Sequence, residues 1–119
     1  MAQNITLVRL NNLELSGVAT IDGAPADISG ASLTFTAKWN PQDSDASAVF
    51  QLGSASPLSG ITITAPLEGR FLIAIPDTAT SSLPYNTTIL AYDLLLTTPL
   101  GSRITINRGS LIVVPNVTR

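Results

Sequence analysis

Ser32-Leu33-Thr34-Phe35-Thr36-Ala37-Lys38-Trp39 is the stretch from which the rest of this sequence is read. Leu33, Phe35, Ala37 and Trp39 fall on one side of an extended chain, and Ser32, Thr34, Thr36 and Lys38 on the other, because side chains alternate with a period of two along a strand. The reading is a β-strand with one face in a core, Trp39 included, and one face in water. Asn40-Pro41 ends it, since proline has no amide to give to a ladder, and Gln42 to Ser47 reads as a polar exposed loop.

The same period recurs on both sides. Leu13 to Ile21 puts Leu13, Leu15, Gly17, Ala19 and Ile21 on one face, with Gly17 marking a bulge or a close backbone approach. Further strands are expected at Ile5–Leu10, Ala48–Leu52, Ile61–Ala65, Arg70–Ile75, Thr88–Thr97, Arg103–Asn107 and Ser110–Val114. Turns are expected at Asp22-Gly23, Glu68-Gly69, Leu100-Gly101 and Arg108-Gly109. Ile89 to Leu96 is apolar on both faces except for Asp93, which fits either a central strand covered twice or a strand in a subunit contact. Pro76 to Pro84 is the one helical turn expected, with Asp77 as its cap. Many short strands without a long helix give an all-β chain, a sandwich rather than a small barrel, and 119 residues suit one domain over 1–119.

Composition narrows the chemistry. Histidine and cysteine are both absent, which removes disulfide frameworks, Cys/His metal sites and every His-based nucleophile pair. A Ser-Lys dyad would have only Lys38, on a wet strand face. Asp43-Ser44-Asp45 is the densest acidic pair, but a polar loop leaves both groups solvated. As a calcium loop it fails at its deciding positions, with Ala48 for the turn glycine and Ser54 for the bidentate glutamate. Asp77-Thr78-Ala79 lacks the glycine and the second copy that an aspartic dyad needs. No phosphate loop, dinucleotide fingerprint or cofactor motif occurs; no enzyme activity, cofactor or metal is expected.

Charged residues are 12% of the chain, about half the usual share, so its surface must be largely uncharged. The 14 Thr and 12 Ser supply much of it, and such groups lose less hydration than charges when a partner covers them. Lys38 and five scattered arginines form no basic stripe, so nucleic acid is not expected as a partner. No apolar run spans a bilayer and no charged n-region precedes a long apolar one, so neither a membrane nor an export route is expected.

Three segments, in order, resemble a group of small tailed-bacteriophage virion proteins, including the N-terminal module of baseplate upper proteins and related phage Ig-like domains. The first is Asp22 to Ala37, similar to the family's turn, its "D-[LI]-[ST]-G-A" and an alternating strand. The second is Gly60-Ile61-Thr62-Ile63-Thr64, then Glu68-Gly69-Arg70-Phe71 and Ile75-Pro76-Asp77-Thr78. The third is Tyr92-Asp93-Leu94-Leu95-Leu96, a turn at Gly101, and Arg108-Gly109-Ser110-Leu111-Ile112-Val113-Val114-Pro115-Asn116-Val117-Thr118-Arg119, like the family's "G-x-[LV]-x-V-x-P-x-V-T-R" ending. Physically these are structural positions: Asp93 reads as an acceptor of backbone N–H bonds beside a buried aromatic, and Gly109 as relief for a bend before the last strand.

The resemblance implies an Ig-like antiparallel β-sandwich of about eight strands. It implies a non-enzymatic structural protein of the virion, made in the host cytoplasm and working through contacts with other virion proteins and with copies of itself. Baseplate upper proteins continue past this module whereas the last residue here is Arg119, so the expected role is either capsid cement or decoration on the major capsid protein or that of a tail or baseplate accessory subunit. Ile5, Leu7, Val8, Leu10 and Tyr92 are the candidate contact residues, with 1–12 read as an N-terminal arm or an edge strand. The rival reading is a ligand- or glycan-binding module using Trp39, Tyr85 or Tyr92 as a platform in a concave site.

Overall fold

The computed structural model describes residues 4–21, 23–55, 58–84 and 86–116. Tyr85 as a platform, Asp22 of the first turn, residues 1–3 of the proposed arm and the closing Val117-Thr118-Arg119 lie outside the described residues. In chain order the strands are β1 (Ile5–Val8), β2 (Leu13–Val18), β3 (Thr20–Ile21), β4 (Ala24–Pro25), β5 (Ser32–Lys38), β6 (Phe50–Gly53), β7 (Ile61–Ala65), β8 (Arg70–Ile75), β9 (Thr88–Thr97) and β10 (Arg103–Val114). Short 3-10 turns cover Asp45–Ser47, Pro66–Glu68 and Asp77–Thr80.

A five-stranded sheet in the order β1-β10-β9-β5-β6 packs on a three-stranded sheet β2-β8-β7, and β3 and β4 form a separate hairpin. The order is that of an immunoglobulin-like sandwich, in which hairpin-linked and crossover strands alternate between two sheets. The chain is all-β and Ig-like. Set apart from the β3–β4 hairpin, eight strands build the sandwich; all pairs are antiparallel except β1 with β10, which run parallel with Ile5 opposite Leu111 and Val8 opposite Val114.

Leu33, Phe35 and Ala37 of β5 are buried, facing Leu90, Tyr92, Leu94 and Leu96 of β9 within the same core and Phe71, Ile73 and Ile75 of β8 across it. Phe35 is its centre, stacked on Tyr92 at 5.1 Å between ring centroids and on Phe50 at 5.9 Å. Burying such rings removes a large apolar area from water, at roughly 25 cal/mol per Å². Gly17 lies directly opposite Phe71 without a bulge, and a Cβ there would meet the Phe71 ring at 2.7 Å. The expected close approach is therefore of a side chain, not of a backbone.

Several expectations are corrected. Trp39 is 49% exposed, because β5 ends at Lys38 and the chain bends before Pro41, so the alternation no longer aims the indole inward. Arg103 to Val114 is one strand, and the Arg108-Gly109 pair makes no turn; a bulge at Ile106 between Thr105 and Asn107 absorbs the irregularity. The glycine there relieves no bend. Asp77 is not a cap: the 3-10 turn has no side-chain cap of its own, and Asn12, distant in sequence, accepts the Asp77 amide at 2.7 Å instead.

Candidate functional site

The alternation that fills the core leaves a second face outward, and on the five-stranded sheet that face is unusually apolar at one end. Val8 of β1 stands beside Val114 of β10, and Ile112 of β10 beside Ile89 of β9. Directly opposite residues on adjacent strands have their Cβ atoms within about 5.5 Å, so four branched aliphatic side chains form a contiguous patch over three strands. Ile89 is 62% exposed and Val8 37% exposed, while Ile112 and Val114 are half-buried. Thr6 and Ser110, uncharged, border them. An apolar cluster of this kind, set in a polar rim, is the usual anatomy of a protein-binding surface.

The N-terminal stretch is held where this patch needs it. Arg9 donates through Nε to the Leu83 carbonyl at 3.1 Å and through Nη2 to that of Ser81 at 3.3 Å. The Leu10 amide donates to Oγ1 of buried Thr80 at 2.8 Å. Leu10 itself takes a left-handed turn, φ 63°, which ends β1 and fixes its direction.

The five candidate contact residues divide. Leu7 and Tyr92 point into the core, 2% and 5% exposed, Ile5 and Leu10 are half-buried, and only Val8 belongs to the outward patch. Ile89, Ile112 and Val114 were not singled out from sequence as contact residues. Their signal was present in part: Leu111-Ile112-Val113-Val114 is an apolar run without alternation, as is Ile89 to Leu96, and an apolar run on a strand must expose one of its faces to something.

Farther along the same face the chemistry turns polar. The loop after β5 folds back so that Lys38 Nζ donates to the Asp43 carbonyl at 2.7 Å and pairs with Asp45 Oδ1 at 2.9 Å. The loop acids are thus not equivalent: Asp43 accepts the Asn40 amide at 3.2 Å within the turn, and Asp45 holds the lysine. Asp93 lies beside them in a groove of about 370 Å³ lined by Thr36, Lys38, Pro41 and Arg108. No hydrogen bond to its carboxylate occurs among the described residues, contrary to the expected backbone acceptor role. Burial raises the Asp93 pKa, with Asp45 adding to the rise and Lys38 and Arg103 opposing it. Tyr92 is raised as well, by burial alone.

A carboxyl whose pKa is raised by folding binds its proton more tightly in the folded chain, so stability falls as pH rises through that raised value. Asp93→Asn is therefore expected to raise the Tm at neutral pH, with the gain shrinking towards zero below the ordinary carboxylate range; thermal melts of both proteins across pH 3–8 check it. Asp27 runs the other way: hydrogen bonding to the Ser29 side chain first, and to the Ser29 amide at 2.9 Å second, lowers its pKa and tightens the turn before Gly30, φ 75°.

Among the described residues, neither Trp39 nor Tyr92 forms an exposed aromatic platform in a concave site. Trp39 is exposed but lines neither this groove nor the larger cleft between the sheets, and Tyr92 lines both while almost wholly buried.

No family model and no curated protein sequence matches the chain. Among solved structures the chain is similar to the N-terminal domain of phage TP901-1 ORF48, at 12% identity and a TM-score of 0.54 over 94% of this chain and 85% of that one. It is also similar to murine CRIg, at 9% identity and a TM-score of 0.40 over 95% of this chain and 92% of that one. The likeness to the phage domain agrees in fold with the module that the sequence motifs resemble.

Proposed function

We propose that this chain is a non-enzymatic structural subunit of a tailed-phage virion, located in the tail or baseplate, that works by burying the Val8–Val114–Ile112–Ile89 patch against a neighbouring virion protein. The patch is the observation that carries the reading: an exposed aliphatic cluster on a sandwich whose surface is otherwise low in charge. Two supports stand beside it. The sequence motifs resemble the N-terminal module of baseplate upper proteins, and the fold is like that of a phage protein's N-terminal domain.

The test is incorporation. Virions carrying the chain are separated into head and tail fractions and its copies counted by quantitative mass spectrometry. Tail rings repeat a few to a few dozen times and capsid lattices on the order of hundreds, so roughly 3–40 copies in the tail fraction is the expected result. Copies in the hundreds in the head would give a cement role instead, and absence from both fractions overturns the virion reading. The Ile89→Asp variant is expected to fold within about 0.5 kcal/mol of the parent, as exposed positions do, and to incorporate at least tenfold less well. Parental incorporation of the folded variant would remove the patch from the interface.

A further inference from the structure

β10 is twelve residues long, yet β1 covers only Leu111 to Val114 of its outer edge. The rest of that edge has no strand beside it among the described residues. The Val114 carbonyl accepts the Arg9 amide on this side, and backbone groups alternate sides along a strand, so the Arg108 amide faces the same edge. It is satisfied from within, by Oδ1 of its neighbour Asn107 at 2.9 Å, a side chain standing where a strand would be. The bulge at Ile106 shifts the phase by one, which brings Thr105 and Arg103 to face the edge too.

Directly beneath this edge the two sheets part. A cleft of about 600 Å³ opens between β10 and β2, lined by Ile5, Leu15, Phe71, Ile73, Leu94 and Ile106 among others, and no lining residue is charged. Natural sheets cover or charge an open edge, because unpaired amides and carbonyls template a further strand. Here an edge with no strand beside it among the described residues runs along an uncharged slot, in which the apolar side chains are joined by Ser16, Thr20 and Asn107. Outside the slot, Arg103 and Arg108 of the same strand are exposed, and neither is in an ion pair among the described residues.

We propose that the Arg103–Arg108 edge of β10 accepts an extended strand from a partner protein, apolar at the alternate positions that enter the cleft and acidic at those that pass Arg103 and Arg108. The main chain supplies the ladder, and the slot reads every second side chain. An uncharged cleft excludes charged inward side chains, since a charge there would be buried without a counterion, and Leu15, Phe71, Ile73 and Leu94 offer apolar ones their contacts. The two arginines set the outward preference. The acceptor edge is independent of where in a particle the chain resides, and its test uses the isolated protein.

The probe is an acetylated, amidated peptide of about eight residues in which valine alternates with threonine or glutamate, compared with an isomer of the same composition without alternation. Amide hydrogen exchange is read at single residues. In the free protein the Arg103 and Thr105 amides are expected to exchange fast, and those of Ile104 and Gly109, directed at β9, slowly. The alternating peptide is expected to slow Arg103 and Thr105 at least tenfold and the isomer to leave them unchanged. Leu15→Glu, which places a charge in the slot, is expected to abolish the protection and, because Leu15 packs against the core, to lower the Tm; should that variant not fold, the comparison of peptides decides alone. Unchanged exchange at millimolar alternating peptide, or equal slowing by both peptides, overturns the proposal. Protection that rises with protein concentration without peptide also overturns it, by giving the edge to a second copy of the chain.

Discussion

Phe35→Ala is expected to remove about 3–5 kcal/mol of folding stability, the range for truncating a fully buried aromatic ring. Phe35 is 1% exposed and stacks on Tyr92 and Phe50 with interplanar angles of 18° and 21°. Its loss removes the ring's own transfer free energy and leaves a void that neither neighbour can fill from a rigid strand. Native domains are stable by only about 5–15 kcal/mol, and the variant should sit near the threshold of folding at 37 °C. Urea titration followed by far-UV circular dichroism measures it; a loss below about 1 kcal/mol would mean that the centre of the core lies elsewhere.

Gly69→Ala is the second large effect, and its origin is backbone rather than side chain. Gly69 follows the Pro66–Glu68 turn with φ 71°, a conformation that costs an L-residue about 1–2 kcal/mol. A Cβ there would also come within 2.7 Å of the carbonyl oxygens of Ala19 and Ala26. Those carbonyls cannot yield. The Ala19 amide donates to the Gly69 carbonyl at 2.7 Å, and the Ala26 amide to that of Ala19 at 2.9 Å, so the three residues clamp the β3–β4 hairpin onto the end of β8. Strain and clash together are expected to cost about 2–4 kcal/mol. Gly101 provides the comparison, since its φ is 91° but nothing lies within 4 Å of a Cβ; Gly101→Ala should lose only the conformational part, about 1–2 kcal/mol. Equal losses for the two would show that the contact with the hairpin contributes nothing.

Both residues were legible before the structure, at different depths. The alternation around Phe35 put it on a core face, and Glu68-Gly69 read as a turn. That Phe35 is the centre of the core depends on Tyr92 and Phe50, which β9 and β6 bring to it from far along the chain. That Gly69 tolerates no Cβ depends on Ala19 and Ala26, about fifty and forty residues earlier in the sequence. Trp39 marks where the local pattern misled. Period-two reading extends a strand as long as the residue types permit, whereas the ladder ended at Lys38 and left the indole outside. Arg108-Gly109 misled in the opposite direction: a turn-favouring pair stayed extended because the ladder with β9 runs past it on both sides.

The contact surface was legible only in outline. An apolar stretch such as Ile89 to Leu96 announces that both faces of a strand avoid water, but not which residues on neighbouring strands share the outer one. Val8, Ile112 and Val114 join Ile89 through register, and register is set by pairing between segments more than a hundred residues apart at the extreme, Ile5 with Leu111.

The sequence by itself determined the all-β class, the position of most strands, the absence of histidine and cysteine chemistry and the low surface charge, because each follows from residue type and spacing within a few positions. Tertiary structure decided which strands share an edge, how much of β10 has no strand beside it among the described residues and which aliphatic side chains meet on the outer face. Those depend on which distant segments pair and in what register, and pairing is a long-range choice governed by the burial of a whole face rather than by any one segment's own preference.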